Sequence, residues 1–271
     1  CCGWVLQMSH LEIHEDRGVE FLLSPLLEQC DFLRHAFSTR QGGVSELPFG
    51  SLNLGEAQGE APECVEENRR RFFEVAGLRP ARVAEVRQVH GADVVEADEI
   101  IEGEDIGADG IMSDKPGVFV AVQTADCVPV LLADPVNRVV AAVHAGRRGT
   151  EEGILENAVL RMKERYGSEA KNLIAALGPG ISGQCYEVGA ECIPPFRQRY
   201  PDWREFCLQV TAEKWLLDLP KAVSLQLGSA GVPEGQIGTA PHCTFSEAAR
   251  FFSYRRDGAP TGRLLSIIGI V

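Results

Sequence analysis

The chain has 271 residues, 45% hydrophobic and 24% charged, with a formal net charge of −13. That composition supports a sizeable folded core, and the acidity excludes nucleic acid and anionic membranes as partners. Any phosphate the protein handles must be met by a local cluster of arginine or lysine.

Residues 1–8 read as an extension or artefact, with Met8 a natural start, and residues 9–271 as a single domain. No apolar run approaches the ~20 residues of a spanning helix, and the N-terminus CCGWVLQ lacks the pattern of a signal peptide. The nine cysteines are scattered and include no CxxC pair, which points to a reducing, cytoplasmic setting.

In chain order, Val19–Leu23 and Ala36–Ser38 read as strands. A long loop rich in glycine, serine and asparagine follows, with Arg40 just before Gly42 and Gly43. Long ordered loops are often functional, and Arg40 is a candidate anion ligand there. Pro62–Leu78 is predicted helical, with Gly77 at its exit. Val83–Val89 reads as a strand closed by His90 and Gly91, and residues 96–110 as an acidic, solvated loop. Three runs, Val118–Gln123, Val128–Ala133 and Val139–Val143, are almost wholly apolar, as expected of strands covered on both faces. Polar residues return where these runs stop, at Asp126 and Cys127 and again at His144 to Thr150. Glu151–Tyr166 is predicted helical with Thr150 as N-cap and Gly167 as its stop. Leu173–Leu177 and Leu264–Val271 read as strands, and Pro194–Tyr200 and Asp218–Leu227 as helices. Interleaved strands and helices make this an α/β protein of the α+β type.

His90, Cys127 and His144 each follow or border a strand end. Two imidazoles and a thiolate suit zinc, and three protein ligands leave a position for water or substrate, the pattern of a catalytic centre. The same atoms allow two other chemistries. Cys127 is a candidate thiolate nucleophile with His144 or His90 as base. A His2Cys set also describes an electron-transfer copper site, so copper is the alternative metal. A multicopper oxidase needs many histidines, and this chain has six and no HxH. HAGRRGT suits an anion site through its glycines, Arg147 and Arg148, although Glu151 and Glu152 oppose one. Arg255 and Arg256 offer a second anion clamp.

Taken in order, STRQGGVS with SLNLG, RQVHGADV, ADGIMSDKPG, TADCVPVLLAD, VHAGRRGT, GPGI with CYEVG, and CTFSE with FFSYRRDG and TGR resemble the YfiH-like family from about His35 to the C-terminus. Members are variously described as laccase-domain proteins, polyphenol oxidases, peptidoglycan editing factors and purine nucleoside phosphorylases. The resemblance implies one domain of layered mixed sheets flanked by helices, with zinc on His90, Cys127 and His144. It also implies phosphorolysis of adenosine, inosine and methylthioadenosine, and deamination of adenosine. On this reading Arg40, Arg148 and Arg255 are candidates to neutralise phosphate, and Asp126 to fix a histidine or move a proton. Tyr186, Phe245 and Phe252 are candidates to face a purine. The family usually carries tryptophan where this chain has Arg147. Two competing functions are a metal-independent cysteine hydrolase of cell-wall amides and a non-catalytic nucleoside or metal sensor. The sequence does not specify an oligomeric state.

Overall fold

The computed structural model describes residues 10–56, 59–100 and 106–271. The extension at residues 1–8 and the acidic residues Glu102, Glu104 and Asp105 lie outside this range. Two mixed six-stranded sheets stack face to face. The first runs Glu12–Asp16, Val19–Leu23, Leu33–Ser38, Leu264–Ile270, Val118–Thr124 and Arg82–Ala84. The second runs Ile237–Thr239, Ile174–Leu177, Val128–Asp134, Val139–Ala145, Gly110–Ser113 and Val94–Glu96. A small third sheet joins Glu187–Gly189, Lys214–Leu217 and Cys207–Gln209.

Alternation along each central strand builds the layers. Leu131, Ala133, Val140 and Ala142 of the second sheet meet Phe37, Val120, Val122 and Ile268 of the first. The opposite face of the second sheet, with Val128, Val130, Leu132, Val139, Ala141 and Val143, is covered by helices Ile154–Tyr166 and Leu219–Ser229. Phe119, Ala121, Leu265 and Ile267 of the first sheet face outward against Phe72 of helix Pro62–Val75. The order is therefore helix, sheet, sheet, helix. Both faces of the central strands are covered, and for that reason these strands are almost wholly apolar, with polar residues mainly at their ends.

Several expected elements differ in extent. The strand expected at Val83–Val89 ends at Ala84. Beyond it the Gln88 side chain takes the place of a ladder, donating to the Gln123 carbonyl at 2.8 Å and accepting from its N–H at 2.7 Å. The helix expected at Glu151–Tyr166 is two helices, Arg147–Glu152 and Ile154–Tyr166, joined at Gly153 with φ of +85°. Thr150 lies inside the first of these rather than capping the second, and its hydroxyl donates to the Gly146 carbonyl at 2.8 Å. The region read as an acidic loop is entered from strand Val94–Glu96 and left by strand Gly110–Ser113, which pair in parallel.

Leu131 is fully buried between the sheets, whereas Leu160 on the outer face of its helix is 50% exposed. Leu131→Ala should destabilise the protein by about 2–5 kcal/mol, and Leu160→Ala by less than about 0.5 kcal/mol, as read from denaturant midpoints.

Candidate metal centre

Adjacent antiparallel strands bring two members of the centre together. In the register of Val128–Asp134 with Val139–Ala145, Pro129 pairs with His144 and Val128 with Ala145. Cys127, one residue before Val128, therefore stands at the same sheet end as His144. His90 arrives from the loop after Arg87, with a left-handed φ of +61°. The ligand atoms of His90, Cys127 and His144 all lie within 4.8 Å of one another, and among the described residues they form the only such group. The two imidazole rings stand nearly perpendicular, with centroids 4.8 Å apart.

The residue that assembles this centre, Asp109, has no role in the sequence reading. It is fully buried. Its Oδ2 accepts from the N–H groups of Val89 at 3.1 Å and Gly91 at 2.7 Å. Its Oδ1 accepts from the His90 N–H at 2.9 Å and lies 2.7 Å from His144 Nδ1. One carboxylate thus folds the His90 loop, including its unfavourable backbone angle, and orients the His144 ring. With Nδ1–H directed at Asp109, His144 keeps Nε2 for the centre. Its ADG sequence precedes a strand, but nothing local marks the carboxylate as shared between two distant histidines.

Burial tends to raise the Cys127 thiol pKa, but the adjacent His144 and His90 outweigh it and bring the thiol down to about 6. Burial tends to lower His144, but Cys127 and Asp109 outweigh it and hold the imidazole up at about 9. The pair thus favours thiolate and imidazolium, and a cation could replace the proton. The space is also shaped for one. A Cβ at Gly146 would lie 3.0 Å from His90 Cδ2, 3.2 Å from Cys127 Sγ and 3.5 Å from His144 Cε1. A Cβ at Gly149 would meet the Gly91 carbonyl oxygen at 2.4 Å. The glycines of HAGRRGT therefore admit the histidine loops. A soft thiolate, two imidazoles, a carboxylate orienting one of them and a side-chain-free wall fit a metal ion.

Asp126 serves the turn rather than a histidine. Its φ is +95°. Its carboxylate accepts from Thr244 Oγ1 at 2.7 Å and from the Arg255 N–H at 2.6 Å.

The centre opens into a cavity of about 860 Å³. Arg87, Arg147, Arg148, Arg255 and Arg263 line it, against the acids Glu56 and Asp126. An acidic protein has thus gathered cations at one place. Of the expected ligands, Arg148, Arg255 and Tyr186 line this cavity, and Arg255 lies 4.9 Å over the Tyr186 ring. Arg40 does not line it. Its Nε donates to the Gly50 carbonyl at 2.8 Å and its Nη1 to the Ala248 carbonyl at 3.1 Å, so its fork braces the glycine-rich loop. Phe252 is buried beneath the Arg40 guanidinium, and neither it nor Phe245 lines the cavity. Arg256 donates to the carbonyls of Thr244, Phe245 and Phe251 and is a structural brace.

A family model described as multi-copper polyphenol oxidoreductase laccase matches residues 34–271. The chain belongs to this YfiH-like, laccase-domain family. It is 40% identical over 237 residues to purine nucleoside phosphorylase YfiH of Shigella flexneri, covering 86% of this chain and 92% of that protein. It is likewise 40% identical over 253 residues to purine nucleoside phosphorylase YfiH of Escherichia coli, covering 92% and 99%. The crystal structure of YlmD from Geobacillus stearothermophilus superposes with a TM-score of 0.87 at 33% identity, over 97% of this chain and 99% of that one. Among the described residues, no helix is long and apolar enough to cross a membrane.

Asp109→Asn should weaken metal binding about 10–100-fold in chelator competition, because the His144 ring loses its anionic partner. After chelator treatment, alkylation of Cys127 should rise with pH about a midpoint near 6. In His144→Ala that midpoint should move upward, since burial then acts on the thiol with less opposition.

Proposed function

We propose that the protein is a zinc-dependent purine nucleoside phosphorylase acting on adenosine, inosine and methylthioadenosine, with a hydrolytic adenosine deaminase activity. What supports the reading most is the opening of the His90, Cys127 and His144 cluster into an arginine-lined cavity, in a chain 40% identical to proteins named purine nucleoside phosphorylase.

Zinc, which His90, Cys127 and His144 would hold, would supply Lewis-acid polarisation inside the cavity. In phosphorolysis a phosphate oxygen bonds to C1′ of the ribose as the C1′–N9 bond breaks. The bonding pair leaves with the purine, and the phosphate proton passes to it, giving base and ribose 1-phosphate. In deamination water adds at C6 and ammonia leaves. The chain's contribution is orientation and charge. Tyr186, with the Arg255 guanidinium carbon 4.9 Å from its ring centroid, supplies an aromatic surface suited to a purine ring. Arg148 is exposed at the cavity and attracts phosphate. Arg147 is paired with Glu151, so it offers a neutralised pair where the family resemblance implies an aromatic, and base preference should depend on it. None of the seven described cysteines is in a disulfide, in keeping with a cytoplasmic site of action.

Two other readings have one observation each. The family model's description favours a copper polyphenol oxidase. Against it, the chain has six histidines, and only one three-ligand group occurs among the described residues. The thiolate–imidazolium pair of Cys127 and His144 favours a cysteine hydrolase of cell-wall amides.

Protein purified without a metal-affinity column should contain about one zinc per chain and release adenine from adenosine only when phosphate is added. Copper content with oxygen-dependent turnover of phenols would replace this reading with the oxidase. Activity lost to a thiol alkylator and indifferent to chelation would replace it with the hydrolase.

A further inference from the structure

The arginines of the cavity are not equivalent. Arg147 is paired with Glu151, Arg255 donates to the Glu187 carbonyl at 2.8 Å, Arg148 is exposed, and Arg87 is engaged in an interaction of its own. Arg263 has no carboxylate partner among the described residues. Leu264 pairs with Thr124 in the first sheet, so Arg263 lies one step beyond, beside the turn that carries Cys127. Its backbone is clamped: the N–H donates to Asn53 Oδ1 at 2.8 Å and the carbonyl accepts from the Leu54 N–H at 3.1 Å. Its Nη1 donates to the carbonyls of Thr261 and Gly262 at 3.0 and 3.1 Å. Among the described residues Nε and Nη2 donate to no acceptor, and these two N–H groups form the edge of a guanidinium that grips an oxyanion with two parallel bonds. Burial holds this guanidinium below the ordinary arginine range.

Two further facts indicate what the edge accepts. The nearby Asp126 carboxylate is already taken by Thr244 and the Arg255 N–H, so it cannot turn to Arg263. Thr124, which lines the same cavity and is 2% exposed, has a hydroxyl with no hydrogen-bond partner. The buried Thr124 hydroxyl is costly unless a ligand meets it, and the half-buried Arg263 edge beside it is placed to receive the same ligand.

We infer that Arg263, assisted by the Thr124 hydroxyl, is the binding site for inorganic phosphate, set beside Cys127 at the inner end of the cavity. The inference rests on the phosphorylase reading for its ligand. It moves the main phosphate contact from Arg40 and Arg148 to a residue that comes from the start of the C-terminal strand. Nucleosides are uncharged, so their recognition does not need this edge.

The test uses metal-loaded wild type, Arg263→Gln, Arg263→Lys and Thr124→Val, titrated calorimetrically with inorganic phosphate alone and then assayed with adenosine. Arg263→Gln should weaken phosphate at least tenfold and raise the phosphate KM by a similar factor, with the adenosine KM changed less than twofold. Arg263→Lys should fall between it and wild type, because it keeps the charge and loses the fork. Thr124→Val should weaken phosphate several-fold. Equal phosphate affinity in wild type and Arg263→Gln overturns the assignment, as does the absence of saturable phosphate binding by wild type. Binding of adenosine 5′-monophosphate but not of free phosphate also overturns it. If phosphate binding depends on Arg263 in a protein that shows no phosphorolysis, the site stands and the phosphorylase reading falls. Should Arg263→Gln fail to fold, unchanged phosphate affinity in both Arg263→Lys and Thr124→Val overturns the assignment.

Discussion

The carboxylate of Asp109 is the constraint on which the centre depends. Fully buried, it accepts N–H groups from Val89, His90 and Gly91 and holds the His144 ring. Burial acts to raise its pKa, and His144 with the backbone donors outweighs it, so the carboxyl stays below its ordinary value. A buried carboxylate is tolerated when its oxygens are fully used. Asp109 therefore stabilises a left-handed backbone at His90 that the loop would not adopt alone.

The stacked sheets make this precision possible. Cys127 and His144 are neighbours because Val128–Asp134 and Val139–Ala145 pair in one register, and that register is fixed by burial on both faces. A one-residue slip would exchange the residues facing the helices with those facing the other sheet. Gly146 then leaves the space that a side chain would otherwise fill. The acidic surface and the cationic cavity complement each other. The surface keeps polyanions away, while the arginines concentrate charge where a small anion can enter.

How much of this was legible follows from the range of the signal. The central strands could be read because double-sided burial leaves runs such as Val128–Ala133 without a polar residue. Cys127 and His144 stood out as the first reactive groups after those runs. Strands Val94–Glu96 and Gly110–Ser113 were hidden because they are short and flank an acidic stretch. The break at Gly153 was hidden because every apolar position of the expected helix lies after it, from Ile154 onward, so no spacing crosses the glycine to show a change of axis. Arg40 stood out because Gly42 and Gly43 follow it, yet its fork is turned to the carbonyls of Gly50 and Ala248, partners 10 and 208 residues further along the chain. Asp109 and Arg263 were invisible for the opposite reason. Their partners lie far along the chain, and only the topology brings Arg263 to the Cys127 turn or Asp109 to both histidines.

The central claim is that one thiolate and two imidazoles jointly hold a catalytic metal. X-ray absorption at the zinc edge of native protein tests it most directly. The spectrum should show one sulfur scatterer near 2.3 Å and two imidazole nitrogens at about 2.0–2.1 Å, with the sulfur contribution lost in Cys127→Ala. A zinc environment with no sulfur, or one unchanged by that substitution, would contradict it.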